Sequence, residues 1–284
     1  MFTVICLIYL PTMEYEIKPK DKLSLGLKEL WIYRELFYFF TWRDIKVKYK
    51  QTFLGILWIV IQPVIMSMIF TYFFKTHFHI ESGRLPYALY VFSGLILWNI
   101  FSSGISNSGN SMINNANILR KIYFPRLIIP ISAVLVSVFD AISSIVVFTF
   151  MLIYFNVQID FSFFLFYLPV SIIITTLSTF GIGSLLSALN VKYTDFRYLI
   201  PFFIQALMFL TPVIYPISVI SNNTLKYFLS INPIYSAIEI LRMPFSNCPP
   251  DYIMLLISLG SCVFFLITGI LFFKKTEYYF ADLV

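Results

Sequence analysis

Charged side chains are scarce in this 284-residue chain: Asp, Glu, Lys and Arg make up 12% of it, about half the share of an ordinary soluble domain. Histidine and cysteine are scarcer still, with two and three. Cys6, Cys248 and Cys262 are too few and too scattered for a disulfide framework or a zinc site. His77 and His79 form an H-x-H pair without a carboxylate or cysteine cluster beside it, which favours plain surface residues over a metal site; no metal is expected. No G-x-x-x-x-G-K-[ST] segment occurs, so the chain has no P-loop to cradle ATP phosphates. A Ser-His-Asp set and paired carboxylates within an apolar run are also missing, which argues against an enzyme.

What the chain has is apolar length. Hydrophobic residues make up 59% and the mean hydropathy is +0.84. A hydrocarbon core roughly 30 Å thick takes about 20 apolar residues of helix. Six stretches qualify: 54 to 74, 85 to 105, 127 to 155, 161 to 190, 198 to about 216, and 252 to 273. The expected fold class is an all-α polytopic membrane protein with six transmembrane helices in one domain, 54 to 275, and a tail, 276 to 284. With a cytoplasmic N-terminus, 16 of the 20 Lys and Arg residues fall on inner segments and four (Lys75, Arg84, Lys226, Arg242) on outer loops. That asymmetry is the positive-inside pattern and places both termini in the cytoplasm. The net charge of +6 follows from this topology and from anionic lipid headgroups; no nucleic-acid partner is needed. Residues 1 to 22 form an extension whose apolar start is too short to span and lacks the basic and cleavage regions of a signal peptide. Met13 is an alternative start.

Residues 23 to 53 read as an amphipathic interface helix. Trp42, Ile45, Tyr49 and Phe53 fall on one apolar seam, with Arg43, Lys46 and Lys50 beside it. Such a helix lies at headgroup depth, either as a simple anchor or as a docking surface for a cytoplasmic partner. The loop "NNANILRKIYFPRL", 114 to 127, predicts a short helix over "ILRKIYF" ended by Pro125, which disfavours helical backbone at Phe124. It serves either as a basic connector or as a second docking element.

"RDIKVKYKQTFLGILWIVIQP" (43 to 63), "NILRKIYFP" (117 to 125), "DFRYLIPFFIQALMFLTPVIYP" (195 to 216) and "INPIYSAIEILR" (231 to 242) resemble, in order and spacing, the permease subunits of ABC-2 type transporters that export lipid-linked polysaccharides and polyol phosphates. The likeness covers roughly residues 25 to 280; Lys48 stands where an arginine is common and Thr52 where a serine is common. It implies a permease subunit in a bacterial cytoplasmic membrane, paired as a homodimer with two ATPase subunits that bind the ATP and Mg. It also implies that residues 28 to 50 and 115 to 125 contact the ATPase, making Arg43, Lys46, Lys50, Asn117, Leu119, Arg120, Lys121, Phe124 and Pro125 the coupling candidates. Residues 217 to 250 resemble a pair of re-entrant outer helices, and Asn232-Pro233 and Pro244 suit broken helices.

Gln62-Pro63 interrupts the first apolar run. Pro63 frees a carbonyl and kinks the helix, and Gln62 needs partners that lipid does not supply. Trp58, Gln62, Met66, Ile69 and Phe73 share one helical face, and the fifth run offers Phe202, Gln205, Phe209 and Tyr215. These nine are the channel-lining candidates: aromatic faces for sugar C–H groups, glutamines for hydroxyls. In a chain with 32 Phe and 19 Tyr, helix packing accounts for such stripes as well. Asp140 is the single acid deep within a run, suited to a structural hydrogen bond more than to a proton relay. Gly183 and Ser187 form a small-x-x-x-small pair for close helix approach. A gradient-driven carrier and a membrane-embedded transferase are the alternatives; the first usually carries inverted repeats, which are not evident, and the second has only Asp195 and Glu239 as candidate acids.

Overall fold

The computed structural model describes residues 27 to 50, 55, 57 to 75, 85 to 158, 162 to 246, 249 to 277, and 280. The 1 to 22 extension with Cys6 and Met13, Phe53, the His77/His79 pair and Cys248 lie outside the described residues. Every regular element among the described residues is helical.

The described residues begin with two helices, α1 (Leu27–Ile32) and α2 (Arg34–Lys50). They lead into α3 (Leu57–Phe70), which widens into a π turn over Thr71–Lys75. Then come α4 (Tyr87–Asn114), the one-turn α5 (Ala116–Leu119) and α6 (Ile128–Tyr154). A π turn over Phe163–Tyr167 enters α7 (Leu168–Lys192), followed by α8 (Phe196–Leu210). Short α9 (Asn223–Ser230) and α10 (Ile234–Arg242) precede α11 (Tyr252–Glu277). Five helical stretches are long and apolar enough to cross a membrane: Leu57–Phe74, Tyr87–Asn114, Ile128–Tyr154, Phe163–Lys192 and Tyr252–Glu277.

The expected fifth span is the exception. Its helix has 15 residues, about 22 Å at 1.5 Å per residue. Pro212 stops it by pushing Thr211 to φ −96°, ψ 135°, the extended backbone that a residue before proline prefers. The irregular chain that follows keeps its polar groups satisfied by side chains. Arg242, at the end of α10, donates to the carbonyls of Pro212 and Val213, both at 2.8 Å, and Tyr87 Oη donates to that of Ile214 at 2.7 Å. Non-helical backbone inside a membrane protein requires such internal partners. Arg242 was counted above as an outer-loop charge; it is instead 6% exposed and belongs to no loop. Its guanidinium lies 3.6 Å from the Tyr90 ring centroid, in space that glycine leaves at position 94, where a Cβ would come within 2.6 Å of it.

The core forms around α4, which packs against α6 and α7 while α7 packs against α11. Phe92 of α4 stacks on Phe148 of α6 at 6.1 Å, and Phe163 closes the same cluster. The α4, α7 and α11 crossings are built on small residues. A Cβ on Gly183 would meet Ser108 Oγ at 2.7 Å, and one on Gly269 would fall 1.9 Å from the carbonyl oxygen of Gly181. Dispersion between close backbones holds such crossings, since lipid offers no hydrophobic drive. In contrast, α3 and α8 are largely uncovered: Pro63 and Ser67 are the buried residues of α3, and Ile200 alone is buried in α8.

Candidate functional site

The helix ahead of the first span does not follow the expected seam. α2 lies against α6, burying Phe40 and Ile45, and the Phe40 ring sits 5.6 Å from that of Phe124. Trp42 falls off this face and stacks on Tyr38 at 6.3 Å in the open, with Lys46 Nζ 5.4 Å from the Trp42 ring. The reason is that α2 has two apolar sides. One is taken by protein, the other carries exposed Tyr38, Phe39 and Trp42. Arg43 binds Asp44 and also donates to Asn115 Oδ1 at 2.7 Å, tying α2 to the end of α4.

The C-terminal end of α2 reaches well into the helical body. Lys48 Nζ pairs with Asp140 Oδ2, and Tyr49 Oη donates to Asp140 Oδ1. Asp140 lies about 18 Å along α6 from Ile128, taking 1.5 Å per residue. Both carboxylate oxygens are thereby engaged, so the buried acid has a structural role of the expected kind, with a lysine as its partner.

This ion pair forms one wall of a cleft of about 600 Å³ between α3, α4, α6 and α8. α3 contributes Trp58, Gln62, Pro63 and Met66; α8 contributes Pro201, Ile204, Gln205 and Met208. Asn99, Ser102, Ser103 and Ser106 come from α4, with Trp98 beside them; α6 adds Ser137 and Ser144 next to Asp140. The α4 polar set falls at i, i+3, i+4 and i+7, one stripe of an otherwise apolar span. That spacing is visible in the sequence and was passed over there. The union of Lys48 with Asp140 is not visible, because 92 positions separate them.

Of the nine channel-lining candidates the cleft gathers four: Trp58, Gln62, Met66 and Gln205. Ile69 continues the same stripe of α3 beyond the cleft, and the π turn changes the phase before Phe73; both are exposed. Phe202 and Phe209 are 70% and 66% exposed on the outer face of α8, and Tyr215 Oη donates to the Phe209 carbonyl at 3.1 Å. Gln205 sits at the border between those two faces.

The coupling candidates gather at the other end. The helix expected over "ILRKIYF" is shorter, Ala116–Leu119, and Ile122 to Pro125 run without helix. Phe124 is buried against Phe40, which anchors the loop and leaves Asn117, Arg120 and Lys121 at the surface with Lys46 and Lys50; Leu119 and Pro125 are half-buried. Asn115 is occupied in cross-links: its Nδ2 donates to the Ser111 carbonyl at 2.8 Å while its Oδ1 takes Arg43. Arg126 holds the chain's other end, its backbone N–H donating to Glu277 Oε1 at 3.1 Å.

Five helices long and apolar enough to span, three of which line a cleft of amides, hydroxyls and one ion pair, define a multi-pass membrane protein with a polar space among its spans, of the permease class. The chain belongs to the ABC-2 type transporter family, whose model matches residues 35 to 245. It is the membrane-embedded permease subunit of such an exporter and not a catalytic enzyme. Two proteins of Klebsiella pneumoniae, each called O-antigen export system permease protein RfbA, are 28% and 29% identical to it over 242 residues, 85% of this chain and 92% of each of theirs. A protein of the same name from Myxococcus xanthus is 25% identical over 211 residues, 74% of this chain and 80% of that one.

Proposed function

We propose that two copies of this chain, with two copies of a separate ATPase, export a lipid-linked polysaccharide or polyol phosphate polymer across the bacterial cytoplasmic membrane. In this reading α8, with the broken backbone after it, serves as the sixth and short span, α9 and α10 are re-entrant outer helices, and both termini are cytoplasmic. ATP and Mg bind the partner. Its motion enters through α2 and the 115 to 125 loop, where Arg43, Lys46, Arg120 and Lys121 offer a basic face.

The observation that carries the reading is the cleft itself. Its walls combine aromatic faces with amides and hydroxyls, a surface suited to a chain of sugar rings, and one wall is the ion pair at the tip of α2. A helix whose Lys46 side faces the ATPase and whose Lys48 and Tyr49 face the cleft is a direct link between the two. The names of the relatives agree with a surface polysaccharide as cargo.

The test is made in cells that lack the chain and are complemented with it. Surface polymer should appear only when this chain and an ATP-hydrolysing partner are both present, and its lipid-linked precursor should accumulate inside when either is missing. Export that persists with a hydrolysis-dead ATPase would point to a gradient-driven carrier.

A further inference from the structure

The cleft has a charge ledger that separates the two kinds of polymer named above. Among its described lining residues Lys48 and Asp140 are the sole charged side chains, and they cancel one another. A phosphate in every repeat would enter a partly desolvated space without a free cation to meet it, which is costly. Phosphate-binding sites are instead supplied with arginine, lysine or a row of backbone N–H groups.

The hydroxyls carry the same message. Ser103 Oγ donates to the carbonyl of Asn99, and Ser137 Oγ to that of Val134 at 2.6 Å. With its proton spent on its own helix, the half-buried Ser103 presents lone pairs to the cleft, while Ser137 is buried against Gly104. Lone pairs repel a phosphate oxygen and accept from a sugar hydroxyl. The amides of Gln62, Asn99 and Gln205 offer donor and acceptor together, suited to hydroxyl groups that do both. Trp58, 55% exposed, adds a flat apolar face.

The geometry points to an uncharged sugar segment as the occupant of this cleft, with the Lys48–Asp140 pair as the device that keeps it neutral. This inference rests on the polymer-export reading and narrows it: the cargo is a neutral glycan, not a polyol phosphate.

The experiment uses the complex of the chain with its ATPase in nanodiscs, titrated with a neutral glucan hexasaccharide and, separately, with a glycerol phosphate hexamer. Tryptophan emission and ATP hydrolysis are followed together, and Trp58→Phe identifies the part of the emission change that arises in the cleft. The glucan is expected to change the emission at a concentration about tenfold lower than the anionic oligomer, and Gln205→Lys, which adds one positive charge at an exposed position, to tighten the anionic oligomer about tenfold. Asp140→Asn, which leaves Lys48 uncompensated, is expected to act in the same direction. Equal or tighter binding of the anionic oligomer to the wild-type cleft would overturn the neutral assignment while leaving polymer export standing. Hydrolysis stimulated by glucan without a Trp58-dependent signal would remove the cleft from the path. Silence of both oligomers in both measurements would take the export reading down with it.

Discussion

Asp140 and Arg242 are buried charged side chains that differ in what their loss exposes. Removing Asp140 leaves the Lys48 ammonium facing the cleft with no counter-charge. Lys48 is partly solvated, its side chain 41% exposed, so the cost should be roughly 1 to 2 kcal/mol, below the 3 to 5 typical of a fully buried pair. Asp140→Ala should therefore lower the melting temperature in detergent, and the double change Lys48→Met with Asp140→Ala should recover part of the loss. If the double variant is worse than the single one, the two residues do not act as a pair. Arg242 carries more. It satisfies the carbonyls of Tyr90, Pro212 and Val213, and each acceptor left unpaired in an apolar interior costs about 1 to 3 kcal/mol. Arg242→Met is expected to abolish the folded protein by size exclusion, and Arg242→Lys to restore it only in part, since one ammonium does not reproduce the planar fork.

At the scale of elements, the long apolar helices were legible because length and hydropathy are properties of a single segment. The five longest runs correspond to the five spanning helices. The fifth expected run failed at Pro212, where apolar composition continues but the backbone does not. The seam on α2 differs for another reason: Phe37, Tyr38, Phe39 and Phe40 carry aromatic rings all round the helix, so periodicity cannot say which side the protein takes. Part of the candidate site was legible, namely Trp58, Gln62 and Met66 on α3 together with Gln205. The polar stripe of α4 is legible by its spacing, whereas the Lys48–Asp140 wall depends on α2 meeting α6, which no local pattern encodes. The short loop after α4 offers a prediction at this scale. Its buried Phe124 fixes it to α2 while Arg120 and Lys121 stay outward, so Arg120→Glu with Lys121→Glu should leave expression and folding unchanged and separate ATP hydrolysis from export. Export at the wild-type rate from that variant would make the loop a connector and no more.

For the whole molecule, the uneven covering of its helices is the leading fact. α4, α7 and α11 cross so closely that single methyl groups are excluded, whereas α3 and α8 stand nearly bare, with Ile65, Met68, Ile69, Phe202, Phe203 and Phe209 all exposed. A homodimer that joins these faces would turn two open clefts into one enclosed path. Cysteines placed at Ile69 or Phe209 should then cross-link two copies in native membranes, and monomers at every position tried along both helices would sink that arrangement. Cys262, buried between α7 and α11, should not compete for the reagent. The contact between Arg126 and the end of α11 has a practical side. Arg126 Nη1 donates to the Glu277 carbonyl, and its guanidinium lies 6.0 Å from the Phe280 ring, itself packed on Phe273. Phe280 is thereby held to the segment that follows the 115 to 125 loop, and a fluorophore coupled at that position would act as an optical gauge, its emission shifting whenever that segment is displaced.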